Sequence, residues 1–233
     1  MHTTSRPQAP AAAHFSKRAA WVVRTFLFLL GLVLLMGTAA EAPQAAGSPQ
    51  SALIQAQRGI DEADSDLFNT VVDVVSVINK ASDDLIVALK EQAVKGELGD
   101  SNIVVLLTLA ASAEEAGQMA LLRPLLITEV RNFVAIGING GYFAGKPNTS
   151  VSPSRNSLAA VLKKMPEGRR EIVPGKLLSQ QDGKARMSAT FNDPAAGGFP
   201  LELIVEQQKG GWRIVEIANA KELFHEAAKR NRK

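Results

Sequence analysis

No cysteine occurs among the 233 residues. Its absence excludes a lipid-modified N-terminal cysteine, a disulfide framework, and a thiolate serving as nucleophile or metal ligand. The folded body must therefore be held by its hydrophobic core. Histidine is nearly as scarce: of three, His2 and His14 fall within the first 42 residues, which leaves His225. Beside Phe224 near the end of the chain, it reads as a surface or dipole-compensating residue, and it gives a metal cluster or a Ser/His/Asp triad nothing to build on. No cofactor and no metal is expected. Tyr142 is the single tyrosine, and no repeat recurs at a period of about 20 to 50 residues, which excludes solenoid and propeller architectures.

Long apolar runs are also missing. The clearest one, Thr25 to Met36 (TFLFLLGLVLLM), covers roughly 18 Å as a helix at about 1.5 Å per residue, short of the ~30 Å hydrocarbon core of a bilayer. It follows Lys17, Arg18 and Arg24 and precedes the small residues Gly37 to Ala42, with Ala40-Glu41-Ala42 in the form of a cleavage site. This is the anatomy of a secretory signal, so residues 1–42 are read as a signal peptide, with an uncleaved anchor as the alternative, and the protein is placed in the periplasm or cell envelope. An excess of one charge disappears with it. Residues 1–42 carry Arg6, Lys17, Arg18, Arg24 and Glu41, and the remainder holds 22 basic and 22 acidic residues. The basic pI of 9.2 thus belongs to the leader, and no nucleic-acid partner is expected.

What is present is one domain's worth of patterned sequence. Residues 43–50, rich in Ala, Pro, Gly and Ser, read as a flexible tether, and 51–233 as a single globular domain. From 51 to 165 the period is helical. Leu53, Ala56, Ile60, Ala63 and Leu67 step by three and four, Asp64, Ser65 and Asp66 supply N-cap chemistry, and a second segment runs on through Phe68, Val71 and Val72. Ser82 and Asp83 are expected to cap a helix carrying Leu85, Ile86, Leu89 and Ala93, and Ile103 to Ala113 reads as a helix buried on all sides. Pro124 is expected to begin a helix that Gly140-Gly141 ends; Ser157 caps a last short helix that Pro166 stops. After Arg170 the period becomes two: Ala185, Met187, Ala189 and Phe191 alternate with polar residues, as do Leu201, Leu203 and Val205. Trp212 to Ile217 follows the Gly210-Gly211 turn, and Pro174 confines Glu171 to Ser179 to a sheet edge. Residues 219–230 form a terminal helix. Helices followed by consecutive strands predict an α+β domain, with N-terminal helices packed on a curved, cone-like antiparallel sheet over 171–218.

The closing strands GKARMSATFND, GFPLELIVEQQ and GGWRIVEIAN, with Trp212 after a glycine turn, resemble those of the cystatin-like, or nuclear-transport-factor-two-like, superfamily. Ala52 to Ser82, with Ala63-Asp64, Phe68 and Asp73, is similar to the opening helices of exported members of unassigned function. The resemblance implies a cone-shaped sheet on a scaffold that hosts enzymes, small-ligand binders and assembly modules alike, so function must come from residues.

Few residues answer. Gly140 to Pro147 (GGYFAGKP) approaches a phosphate-binding loop, but Pro147 supplies neither the hydroxyl nor the N–H that the last position needs; a helix stop and turn accounts for it. Asp61, Glu62, Asp64 and Asp66 lack the glycine and glutamate spacing of a calcium loop and read as helix-terminal capping. Asn148-Thr149-Ser150 fits a glycosylation sequon and argues for an exposed loop. A cone-fold isomerase or hydrolase would need a carboxylate and a tyrosine, for which Asp73 and Tyr142 are the candidates. The preferred reading is non-catalytic: a partner protein or an apolar ligand bound through the sheet's concavity, with Met187, Phe191, Leu203 and Trp212 lining it, although each also suits the core. A lipid-handling carrier is the alternative. The basic tail Lys229, Arg230, Arg232 and Lys233 favours a helix C-terminus, with peripheral contact to an anionic membrane surface as a secondary role.

Overall fold

The computed structural model describes residues 47–82, 84, 116–148, 150–154, 157–209 and 211–230. The leader, the expected helices around Leu85 to Ala93 and Ile103 to Ala113, and Arg232 and Lys233 lie outside them.

Helix α1, Pro49–Asp61, opens two residues ahead of the expected start and takes in Pro49 and Gln50 from the stretch read as tether. Proline suits a first turn, where its missing N–H would have no intrahelical partner. Leu53, Ala56 and Ile60 are fully buried, as their spacing requires. Ala63, at a φ of 56°, ends this helix. The Asp64 carboxylate then caps α2, Ser65–Val71, accepting from the amides of Asp66 and Leu67 at 3.0 and 2.8 Å. Contrary to expectation α2 stops before Val72, which is extended and bridges Ile214.

A further helical stretch covers 74–82. Its start is capped by Asp73, whose carboxylate accepts from the Ser76 amide at 3.0 Å. Ser82, where a cap is expected, is itself helical and donates its hydroxyl back to the Asn79 carbonyl at 2.8 Å, while Asp83 and the helix the two are expected to cap lie outside the described residues. The reason is physical, since serine serves both as an external cap and as an internal residue bonded to the preceding turn.

Helix α3, Ala116–Asn139, contains Pro124 in its interior, not at its start. Proline forfeits its own amide bond and crowds the carbonyl one turn back, a local cost that the rest of a 24-residue helix carries. Val130, Phe133, Val134 and Ile138 are buried, and Gly140-Gly141 ends the helix as expected. The short helix that follows is 3-10, Leu158–Lys164. Ser157 makes no side-chain cap there; Glu129 of α3 accepts from the Leu158 amide at 2.9 Å instead.

The sheet is a four-stranded antiparallel meander in sequence order: β1 Glu171–Gln181, β2 Lys184–Asp193, β3 Gly197–Gln208 and β4 Gly211–Ile217. It is curved and not closed, with helices packed against it and a terminal helix α4, Ala220–Arg230. The α+β architecture and the edge position of β1 are those expected. Asp182-Gly183, both at positive φ, form the two-residue turn between β1 and β2. Burial alternates along β2 and β3, with Met187, Phe191, Leu203 and Val205 inward. On β4 a register shift leaves Val215 unpaired, so Ile214 and Val215 are buried together. Beyond the end of β4, Asn219 serves β3, accepting from the Glu202 amide and donating to the Pro200 carbonyl, each at 2.9 Å.

Candidate functional site

The sheet's inner face is where a concavity would bind. Met187 and Leu203 are paired across β2 and β3, and Phe191 lies opposite Phe199. Met187, Phe191 and Leu203 are 0% exposed and Trp212 is 5% exposed. All four belong to one core cluster that also contains Leu53, Ile60 and Phe68 from the helices. The structure thus brings the four together, but as packing residues against their own helices. Each such burial stabilises the fold by about 1.5–3 kcal/mol. Trp212 has one polar atom to satisfy, and its indole N–H donates to the Gly47 carbonyl at 2.6 Å. That bond fastens the start of the described chain to the sheet.

The acidic run near the end of α1 resolves into separate structural tasks. Asp61 receives both Nε and a terminal nitrogen of Arg169 at 2.9 Å, a two-pronged pairing, and the Gln57 amide at 2.8 Å. Arg169 also reaches Glu171 at 3.3 Å. Its guanidinium is held further into the charged form, first by the hydrogen bond to Asp61. Glu62 pairs with Arg58 one turn back, and Asp64 is the α2 cap already described. Among the described residues no group of acids and histidines is arranged to hold a metal ion.

Asp73 and Tyr142, the candidate base and its phenol, each have a local partner. The Asp73 carboxylate caps a helix and its amide donates to Ile214 at 2.9 Å. The half-buried Tyr142 hydroxyl faces the Val151 carbonyl at 3.5 Å. Gly140 to Pro147 is a turn, closed by the Lys146 amide on the Gly141 carbonyl at 2.9 Å. Asn148 and Ser150 are exposed and bonded to each other, Ser150 donating from both its amide and its hydroxyl. His225 is half-buried in α4 beside Phe224.

A feature that motif reading does not find is a buried ion pair. Arg170 and Asp193 have side chains 2% and 3% exposed, and Nε meets the carboxylate at 3.0 Å. The remaining guanidinium nitrogens donate to the carbonyls of Pro166, Gly168 and Tyr142 at 3.0, 3.4 and 3.4 Å. The second Asp193 oxygen accepts from the amides of Ala195 and Ala196. Burial lowers the Arg170 pKa from its ordinary value, opposed by the charge of Asp193. The pair ties the turn after α3, the approach to β1 and the β2–β3 hairpin. In the sequence it consists of two charges 23 positions apart, with no pattern to mark them.

The sheet's outer face is polar. Arg186 pairs with Glu202, Lys184 with Glu206 at 2.8 Å, and Lys80 with Glu216 at 2.5 Å. Among the described residues, the large apolar side chains that reach the surface are Ile54, Val75 and three on β1, where Val173, Leu177 and Leu178 are 40%, 41% and 50% exposed. Among the described residues no helix is long and apolar enough to cross a membrane. No family model, no curated protein and no solved structure matches this chain.

Proposed function

We propose that this chain is an exported, non-catalytic protein of the periplasm or cell envelope that binds a partner protein through its surface. One observation carries the reading: the inner face of the sheet is occupied by the protein's own core, with Met187, Phe191, Leu203 and Trp212 at 5% exposure or less. Binding of an apolar small ligand there would need a cavity of about 300–1,000 Å³, so that half of the expectation loses ground to surface recognition. Two further supports are chemical. Asp73 and Tyr142 are engaged in capping and turn contacts, and the balanced charge outside residues 1–42 offers nothing to attract nucleic acid. Export rests on the apolar leader behind Lys17, Arg18 and Arg24. Membership of the cystatin-like superfamily, on the strand resemblance, belongs to the same proposal.

Native mass spectrometry with lipid extraction of the protein purified from its host tests the reading. The expected mass is that of the polypeptide alone. A lipid retained in stoichiometric amount overturns surface recognition in favour of the lipid-handling carrier.

A further inference from the structure

The margin of the sheet at β1 is divided in two. Its first half carries three features that discourage strand addition: Pro174, which has no amide hydrogen; a register shift between Pro174 and Leu177; and the exposed Lys176. Ser188 stands in for a ladder partner there, its hydroxyl accepting from the Lys176 amide at 2.8 Å. Beyond Lys176 the proline and the charge stop, and one further register shift falls between Leu177 and Ser179. Leu177, Leu178, Ser179, Gln180 and Gln181 contain no charge and no proline, and all five are exposed. Among the described residues no strand pairs with the outer side of β1, whereas Val72 bridges Ile214 beside β4 at the other margin.

We propose that 177–181 of β1 pairs antiparallel with the same segment of a second copy of this chain, about a two-fold axis at Ser179. Backbone geometry selects the register. Gln181 and Lys184 flank a two-residue turn, so they exchange hydrogen bonds with each other, and Ser179 opposite Arg186 repeats that orientation. The intervening Gln180, and Leu178 at the second register shift, direct their backbone groups away from β2. An axis at Ser179 places Leu178 of each copy opposite Gln180 of the other, so that the outward groups meet. The same register sets Lys176 opposite Asp182, which is exposed in the turn, twice over. Two reciprocal ion pairs then flank an uncharged centre, and no like charges face each other. The two Leu178 side chains, each 50% exposed, become diagonal neighbours on one face across the axis. A contact this small gives a weak, concentration-dependent dimer.

Sedimentation equilibrium of the full chain purified from its host, with Lys176→Asp and Asp182→Lys variants, tests the idea. The wild type is expected to dimerise reversibly. Each reversal puts two like-charge pairs across the axis and is expected to weaken association about fivefold or more. Mixing the two variants restores it, because every facing pair is then of opposite sign. Leu178→Lys, at an exposed position, is expected to abolish dimerisation without moving the melting temperature. A wild type that remains monomeric at about 1 mM, or charge-reversed variants that associate as tightly as the wild type alone, would overturn the proposal. Failure of this self-association leaves the partner-protein reading standing, since that reading rests on the filled inner face.

Discussion

At the scale of single residues, the Arg170–Asp193 pair has the largest consequences. Both groups are withdrawn from water, so removing either one strands the other: Asp193→Ala or Arg170→Met is expected to cost about 3–5 kcal/mol, read as a lower urea midpoint. The double variant Arg170→Met with Asp193→Asn is expected to recover part of that loss, because neither charge is then left buried alone. Gly137 is a second such position. A Cβ there would overlap the Phe143 ring, whose centroid lies 5.6 Å from that of Phe133. Gly137→Ala is accordingly expected to destabilise by about 1–3 kcal/mol through overpacking, the reverse of the gain alanine usually gives in a helix. Neither role can be read from the chain, because both depend on residues that only the tertiary fold brings into contact.

Among the elements, legibility follows the length of the pattern. Strict alternation over Ala185 to Phe191 and Leu201 to Val205 placed β2 and β3, and the apolar spacing of Leu53, Ala56 and Ile60 placed α1. Ends were harder to locate, because a cap is a single polar residue that can act from elsewhere. Ser82 is itself helical, Asp73 caps the stretch that ends there, and Glu129 reaches from α3 to the 3-10 helix at Leu158–Lys164. Glu129→Ala is therefore expected to cost about 0.5–2 kcal/mol and to speed amide exchange at Leu158, while Ser157→Ala leaves that exchange rate unchanged. Pro124 is ambiguous for a related reason: proline at a helix start and proline within a long helix look alike until the upstream turns are known. The alternation identifies an inward face, and the order of helices before strands predicts that helices cover it. Met187, Phe191, Leu203 and Trp212 are legible as one apolar group for which the core is the better reading, and they are at 5% exposure or less.

For the whole molecule, the question is how the two ends of the chain order meet. Most helices precede the strands, yet Arg169 grips Asp61 of α1, Arg213 of β4 donates to the Asn69 carbonyl of α2 at 2.9 Å, and Trp212 holds Gly47. A sheet whose inner face is closed by helices from the opposite half of the sequence must make these long-range contacts before either half is stable, which argues for one cooperative unfolding transition. Trp212 gives the means to observe it. The chain has two tryptophans, and Trp21 leaves with residues 1–42 if the leader is removed, so emission from the processed protein reports the β4 junction alone. It is expected to be blue-shifted in the native state, because the ring is 5% exposed, and to move red in step with the loss of far-ultraviolet helical signal. Tryptophan emission that shifts at a lower denaturant concentration than the helical signal would mean that the Gly47 anchor and β4 separate from the body first, and that the molecule is not one cooperative unit.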